Sequence, residues 1–200
     1  MGERHSTLRE QRRAETQRLV QAVAVRLFVE RGYDRTTVND VAEAAGVSPM
    51  TVYRHFPTKE DLVLVDQNGP LIARQIAATT AGQPFVPRIG GALIDAARTL
   101  TDGDDRLLLA RLRLMISTPA LRARHLDSQY VLQQAIVDAL GDEAADPDTA
   151  FEAAAAASAC LAAMHTALVR WAQDDGRSDL PDLIAKALAA AFGADAPRQG

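Results

Sequence analysis

Apolar residues recur at spacings of three and four along most of the chain, which is the period of an amphipathic helix. The clearest stripe predicts a first helix from about residue 9 to residue 31, and its members are Val20, Val23, Ala24, Leu27 and Phe28. Runs of β-branched residues alternating strictly with polar ones, as in a half-buried strand, are absent from the sequence. The pattern therefore predicts an all-α fold with about nine helices.

Glycine and capping residues mark the ends of the first two helices. Gly32 follows the first stripe, where a residue in the left-handed conformation commonly ends a helix. Thr37 can cap a second helix, because Asp40 stands three residues later in the position of a capping box. Gly46 then marks the end of that helix.

The third and fourth helices begin with similar signals. Ser48 offers a capping hydroxyl, and Pro49 is well tolerated in the first turn of a helix. Pro57 stops this third helix, since proline has no N–H for the helical hydrogen bond. Thr58 and Asp61 repeat the capping-box spacing at the start of a fourth helix.

The remainder of the chain also has the helical period. Asn68–Gly69–Pro70 is expected to kink or break the fourth helix, because proline disfavours the helical conformation at the residue before it. Segments rich in helix breakers divide the rest into about five or six helices, and they are residues 82–87, 101–104, 117–119, 141–147 and 174–181. We therefore expect a domain of residues 1–60 and a second of residues 61–200.

Composition narrows the class of protein. Apolar residues make up 48% of the chain, which favours a packed core over disorder. Stretches of about eighteen apolar residues without charge, which could span a bilayer, are missing. The charged N-terminus lacks the apolar segment of a signal peptide, and the lone Cys160 excludes an internal disulfide. We expect a cytoplasmic protein that does not contact membranes.

Charge is distributed unevenly along the chain. Residues 1–60 contain ten Lys or Arg and eight Asp or Glu, a balance of +2, whereas residues 61–200 contain twelve and eighteen, a balance of −6. A slightly basic N-terminal third on an acidic body is compatible with a local DNA-binding surface.

Sequence motifs of enzymes are absent. The sequence contains neither a Gly-rich phosphate loop nor a Gly-x-Ser-x-Gly elbow, and its four histidines form no pair at the i, i+4 spacing of helical metal ligands. Cys160 stands among alanines, which is typical of a small buried residue rather than a nucleophile. We expect no catalytic site, no metal and no cofactor.

The second and third predicted helices form a helix-turn-helix, joined by a tight turn at 46–48. Apolar residues that can lock this pair together and onto the first helix are Val38, Val41, Ala42, Val47, Val52 and Phe56. The residues left facing outward from the third helix include no acid, and they are Pro49, Met50, Thr51, Tyr53, Arg54 and His55. Such a face suits a negatively charged duplex.

The segment from Ala22 to Leu62 resembles the TetR family of bacterial regulators. It reads AVAVRLFVERGYDRTTVNDVAEAAGVSPMTVYRHFPTKEDL, and the family's Thr-Thr-Val, Ala-Gly-Val-Ser, Tyr-x-His-Phe and Lys-Glu-x-Leu elements occur in order and spacing. The resemblance implies a homodimer that binds operator DNA and regulates transcription, as a repressor released by a small effector. An interior rich in leucine and alanine, with only nine aromatic residues in the chain, suggests that this effector is mainly apolar. The alternatives are an activator of the same family, or a helical protein-interaction module without DNA binding.

The resemblance also implies which residues touch the DNA backbone and which touch bases. Contacts to phosphate are implied for Thr37, Tyr53, His55 and Lys59. Residues at the start of the recognition helix in the major groove are implied to be Ser48, Pro49, Met50 and Thr51. Met50 could contact a thymine methyl group or simply face solvent, and Arg54 could read guanine if its side chain reaches the groove.

By the same resemblance, residues from about 65 to 195 form the effector-binding and dimerisation domain. Two long helices, at about 148–173 and 179–192, are expected to form a four-helix interface with a second copy. Its expected members are Ala155, Ala159, Ala162, Leu183, Ile184, Ala187, Leu188 and Ala191. The candidate effector pocket consists of Leu114, Met115, Tyr130, Gln134, Met164, His165 and Trp171. Gly69–Pro70 could be an allosteric hinge or only a corner in the chain.

Overall fold

The computed structural model describes residues 2–64, 69–101 and 105–193, and of residues 2–10 and 105 the backbone alone. These ranges contain helices and their connections and no strand, so the predicted all-α fold is confirmed. The elements are α1 (Gly2–Arg31), α2 (Val38–Ala44), α3 (Pro49–His55), α4 (Asp61–Leu64), α5 (Gly69–Ala77), α6 (Phe85–Thr101), α7 (Asp105–Ser117), α8 (Pro119–Asp138), a 3₁₀ turn (Gly141–Ala144), α9 (Pro147–Gln173) and α10 (Leu180–Phe192).

The capping signals act as predicted. The Thr37 hydroxyl accepts a hydrogen bond from the Asp40 backbone N–H at 3.1 Å, and the Asp40 carboxylate accepts one from the Thr37 N–H at 2.7 Å. The same reciprocal pair joins Thr58 and Asp61 before α4. Ser48 caps α3, with Pro49 in its first turn. These local bonds satisfy N–H groups that a helix start leaves unpaired.

Two helix boundaries differ from the sequence expectation. α1 begins at Gly2 rather than near residue 9, and the sequence does not predict this start because the polar first turns have no apolar stripe. The fourth helix is divided into α4 and α5, and Gly69 and Pro70 form the first turn of α5. Asn68 lies outside the described residues. The described ranges therefore hold ten α-helices.

The chain divides into two compact units. The first comprises residues 1–65 together with 113–122. Its core is formed by α1 to α4 and by Leu121 of α8, and the predicted stripe of α1 supplies Val20, Ala24, Leu27 and Phe28, each at most 1% exposed. The segment 113–122 lies beyond the boundary that the sequence placed at residue 60, because packing rather than chain order decides which helix completes a core.

The second unit comprises residues 66–112 and 123–200. α9 packs against α6 and α10, and α5 packs against α6. The buried side of α9 is rich in alanine, which lets neighbouring helices approach closely. By length and mean hydropathy (1.3) α9 would also suit a membrane span, but in this unit it packs against α6, α10 and the 3₁₀ turn. Cys160 is fully buried in it, and burial raises the pKa of its thiol to about 12.

Candidate nucleic-acid interface

α2 and α3 are joined by a tight turn that requires glycine. Gly46 has φ = 66°, a left-handed conformation that side chains with a Cβ rarely adopt, although a Cβ there would meet no atom within 4 Å. The Val47 N–H donates to the Ala42 carbonyl at 3.0 Å across the turn. Val41 and Val52 are fully buried between the helices and α1. Backbone conformation and packing together fix how α3 is presented.

The outer face of α3 carries the residues that the sequence analysis placed there. Met50 is 74% exposed and Tyr53 48% exposed. Pro49 and Arg54 are also exposed, while Thr51 and His55 are partly buried. Val52 and Phe56, on the opposite side, are at most 1% exposed. α3 is therefore anchored on one face and offers mixed polar and apolar chemistry on the other.

Three hydroxyl groups near the helix starts are held in fixed orientations. The Ser48 hydroxyl accepts from the Thr51 N–H at 3.1 Å and lies 2.9 Å from the Thr51 hydroxyl. The Thr37 hydroxyl donates to the Asp40 carboxylate at 2.7 Å. All three bonds are exposed to solvent. One hydroxyl of the Ser48–Thr51 pair keeps a proton that can be donated to a phosphate oxygen, whereas the only hydroxyl proton of Thr37 is donated to Asp40.

One ring nitrogen of His55 is buried within the first unit. Its Nδ1 is buried without a hydrogen-bond partner. Burial, and then the nearby positive charges of Arg13 and Arg54, lower the pKa of this imidazole from its ordinary value of 6.5. His55 is thus neutral at pH 7, and a phosphate contact by it would be a hydrogen bond rather than an ion pair.

Lys59 is turned towards the loop between α1 and α2. Its Nζ donates to the Tyr33 carbonyl at 2.6 Å and lies 4.1 Å from the centroid of the Tyr33 ring and 5.6 Å from that of Phe28. The Tyr33 hydroxyl donates to the Glu60 carboxylate at 2.9 Å, and burial together with this carboxylate raises the pKa of Tyr33. This cluster is not predictable from the sequence, because its partners are 26 and 27 positions apart and no periodicity connects them.

Lys59→Met is expected to lower the free energy of unfolding of the first unit by about 1 to 2 kcal/mol, because a charged hydrogen bond and the cation–π contact are lost. Urea unfolding followed by circular dichroism measures this change. Lys186→Met is the matched control, since Lys186 is exposed on α10. Equal unfolding midpoints for the two variants would show that the Lys59 contacts contribute nothing.

Family profiles match both parts of the chain. Residues 21–65 match the profile described as bacterial regulatory proteins, tetR family, and residues 83–192, more than half of the chain, match the MftR C-terminal domain. The chain belongs to the tetR family of bacterial regulatory proteins. The family resemblance of the segment Ala22–Leu62 is thereby confirmed, and so is the expectation of a regulator rather than an enzyme.

Individual relatives agree with this family. The chain is 33% identical over 110 residues to the transcriptional regulator TcmR of Streptomyces glaucescens, a match covering 52% of this chain and 49% of TcmR. It is 25% identical to the putative mycofactocin biosynthesis regulator MftR of Mycobacterium tuberculosis, over 90% of this chain and 89% of MftR. Among solved structures, FadR of Thermus thermophilus, a TetR-family repressor crystallised with lauroyl-CoA, has a TM-score of 0.55 at 22% identity, covering 92% and 97% of the two chains. The match thus spans only about half the length of TcmR.

In this TetR-family chain, the seven residues named as an effector pocket do not share one environment. Leu114 and Met115 belong to the first unit, where Leu114 packs against the core of α1 to α4. Tyr130 is 66% exposed and Gln134 is exposed as well. Trp171 is sealed by the turn after α9, where its Nε1 donates to the Ser178 carbonyl at 2.8 Å.

His165, partly buried in α9 beside the half-buried Met164, contacts a residue that the sequence analysis did not name. His165 Nδ1 lies 3.1 Å from His125 Nε2 of α8, and the Gln129 amide lies 3.1 Å from that same nitrogen. Burial, and then the neighbouring His165, lower the pKa of His125 to about 4, and burial lowers the pKa of His165. Both rings are neutral at pH 7, so that one ring nitrogen donates to the other.

Acidification is expected to destabilise the second unit through His125. In the unfolded chain His125 binds a proton below its ordinary pKa of 6.5, whereas in the folded chain it stays neutral down to about pH 4. The free energy of unfolding should therefore fall as the pH drops through this interval. Urea unfolding at several pH values measures the slope. His125→Asn should make the slope shallower, and an unchanged slope would contradict the assignment.

Proposed function

We propose that this protein is a cytoplasmic, homodimeric repressor that binds operator DNA through α2 and α3 and is released by a small effector. The observation that carries the proposal is the outer face of α3, where Met50, Tyr53 and Arg54 are exposed on a helix anchored by buried Val52 and Phe56. A short anchored helix of this kind enters the major groove in helix-turn-helix proteins. TcmR and MftR carry names of transcriptional regulators, which supports the same reading.

Phosphate contacts are proposed for Thr37, Tyr53, His55 and Lys59. Thr37 and Tyr53 are exposed, and the Tyr53 hydroxyl can donate to a phosphate oxygen. The Thr37 hydroxyl would have to exchange its bond to Asp40 for one to phosphate. Lys59 has further N–H groups beyond the one given to Tyr33, so its contact would add to its role within the unit. Such contacts set the position of the protein on the duplex but do not choose its sequence.

Base contacts are proposed for the start of α3 and for Arg54. Ser48 and Pro49 begin the helix and are exposed, and Thr51 follows one turn later. The thioether of Met50, 74% exposed, suits an apolar contact with a thymine methyl group. Arg54 offers the two parallel N–H groups that match the O6 and N7 acceptors of guanine.

Fluorescence anisotropy with a labelled fragment of the gene's own promoter region tests these roles. Tyr53→Phe is expected to weaken binding to every sequence by about fivefold, the effect of one lost hydrogen bond. Met50→Ala is expected to change the ranking of operator variants that differ at thymine positions. Arg177→Gln, an exposed change in the second unit, is the control. Failure of the wild-type protein to prefer its promoter over unrelated DNA would reject the regulator proposal.

The dimer is proposed to form through exposed faces of α9 and α10. Ala155, Ala159 and Ala162 are exposed at helical spacing on α9, and Phe151, one turn before Ala155, is 74% exposed. The residues expected at the interface from α10 fall into two groups. Leu183 and Ala187 are partly exposed and Ala191 is exposed. Ile184 and Leu188 are at most 1% exposed within their own unit. The exposed and partly exposed residues can contact a second copy, whereas Ile184 and Leu188 pack in the core of their own unit beneath them.

The effector is proposed to be small and mainly apolar. The core of the second unit is rich in leucine and alanine, which favours apolar over charged ligands. The Thermus thermophilus FadR structure holds lauroyl-CoA, whose acyl chain is apolar. Gly69 and Pro70, in the first turn of α5, are proposed as the place where the chain adjusts when the effector binds.

A further inference from the structure

Two histidines from different helices of the second unit meet between α8 and α9. His125 Nε2 of α8 lies 3.1 Å from His165 Nδ1 of α9, and the ring centroids are 5.1 Å apart. Gln129, one helical turn after His125, places its amide 3.1 Å from the same Nε2 atom. Three side chains that can each offer a lone pair to a metal ion therefore converge on one point.

These three side chains lie at the edge of the packed helices. His125, Gln129 and His165 each have an intermediate exposure, and both contacts of His125 Nε2 are partly buried rather than enclosed. Cys160, by contrast, is fully buried on the same helix as His165. An ion from solvent can therefore reach the two ring nitrogens after small side-chain rotations.

His125 Nε2 has more polar neighbours than it can satisfy. A neutral imidazole nitrogen carries either one proton or one lone pair, yet both His165 Nδ1 and the Gln129 amide lie at hydrogen-bond distance from this atom. The two contacts therefore compete with each other. A metal ion among the three groups would accept a lone pair from each of them and so remove this competition.

The spacing of the two ring nitrogens suits a single transition-metal ion. Imidazole nitrogens bind Zn²⁺ at about 2.0 to 2.1 Å, so that two such bonds at an angle of about 90 to 110° place the nitrogens about 2.8 to 3.4 Å apart. The observed separation of 3.1 Å falls inside this range. Gln129 presents its amide oxygen as a third ligand after a half turn of its last torsion, and water completes a tetrahedral set.

The ligand types also decide the kind of ion. Imidazole nitrogens suit Zn²⁺, Cu²⁺ and Ni²⁺, whereas Mg²⁺ and Ca²⁺ are held by oxygen ligands that include carboxylates. Within the described ranges, the hydrogen-bond partners of the two rings are each other and Gln129, and none of these is a carboxylate. The arrangement therefore favours a transition-metal ion over an alkaline-earth ion.

We infer that His125 and His165, with Gln129 as a third ligand, bind one divalent transition-metal ion such as Zn²⁺. The ion replaces the contact between the two nitrogens by two metal–nitrogen bonds, and the proton held between the rings moves to the outer nitrogen of its own imidazole. The site depends neither on DNA binding nor on the mainly apolar effector proposed above. It was not predictable from the sequence, because its histidines come from separate helices, 40 positions apart.

Isothermal titration of the untagged, full-length protein with zinc chloride at neutral pH, in the absence of DNA, tests the inference. The wild-type protein is expected to bind one Zn²⁺ per chain, and magnesium chloride should give no saturable binding. His125→Gln and His165→Gln should each weaken Zn²⁺ binding by at least about tenfold. His55→Gln is the matched control, since it removes a histidine of the first unit, and it should keep the affinity within about twofold.

Thermal unfolding followed by Trp171 fluorescence distinguishes a lost site from a lost fold. An ion that binds only the folded chain raises the unfolding midpoint, by about 5 to 10 °C when Zn²⁺ is at a hundredfold excess over its dissociation constant. This rise is expected for the wild type and for His55→Gln, whereas His125→Gln and His165→Gln should unfold cooperatively without it. The inference would be overturned by a wild-type protein without saturable Zn²⁺ binding, or by a folded His125→Gln or His165→Gln protein with wild-type affinity.

Discussion

Ala159→Arg is expected to convert the protein into a monomer and to weaken operator binding by about a hundredfold or more. Ala159 lies on the exposed, alanine-rich face of α9 that we propose as the centre of the dimer interface. An arginine there would bury an unpaired charge and separate two helices that alanine allows to pack closely. The DNA affinity falls as well, because a dimer engages two half-sites at high effective concentration, whereas a monomer has a single α3.

Sedimentation velocity at micromolar concentration and anisotropy with the promoter fragment measure the two effects of Ala159→Arg. Ala78→Arg introduces the same charge at an exposed position just after α5 and is the control. It should leave both the dimer and the affinity within about twofold of wild type. A dimeric Ala159→Arg protein would remove this face of α9 from the interface. A monomer with undiminished affinity would show that operator binding does not need two copies.

Phe28→Ala is expected to lower the free energy of unfolding of the first unit by about 3 to 5 kcal/mol, the usual cost of removing a large buried aromatic side chain. Phe28 is 1% exposed, and its ring lies 5.0 Å from that of Tyr33, beneath the Lys59 ammonium. The cavity would loosen the same core that anchors Val52 of α3. Operator binding should fall in parallel, since the recognition helix is too short to persist without its support.

Urea unfolding of Phe28→Ala can be followed with two probes. Trp171 is the only tryptophan and belongs to the second unit, so its fluorescence reports on that unit, whereas circular dichroism reports on both. An early dichroism transition is expected that Trp171 fluorescence does not follow. Phe28→Leu retains most of the volume and should cost less than about 1.5 kcal/mol. A loss for Phe28→Ala as small as for Phe28→Leu would contradict the central place of this ring.

The elements that sequence reasoning placed well are those fixed by neighbouring residues. Thr37 and Asp40 form a capping box because the two residues are one helical turn apart, and the same holds for Thr58 and Asp61. The stripe of α1 is buried because its spacing matches the turn of the helix. The start of α1 at Gly2 is not predictable from the pattern, since the polar residues before residue 9 have no apolar period.

For the candidate site, the sequence predicted which side chains of α3 are exposed but not the contacts that surround them. Met50 and Tyr53 are exposed because they lie on the face of a short helix opposite to the apolar Val52 and Phe56. The inward turn of Lys59 does not, because Tyr33 approaches it only when α1 and α4 pack. The proposed effector residues were chosen by helix and chemistry, and packing left Tyr130 exposed while it sealed Trp171.

The order of residues alone determined the all-helical architecture, the helix-turn-helix and the membership of the tetR family, since these depend on helical periodicity, capping pairs and a contiguous motif. Only the tertiary structure brought His125 to His165, and Arg88 to Glu143, across separations of 40 and 55 positions. No local rule encodes such pairs, because the free energy that joins them comes from burying helices against one another.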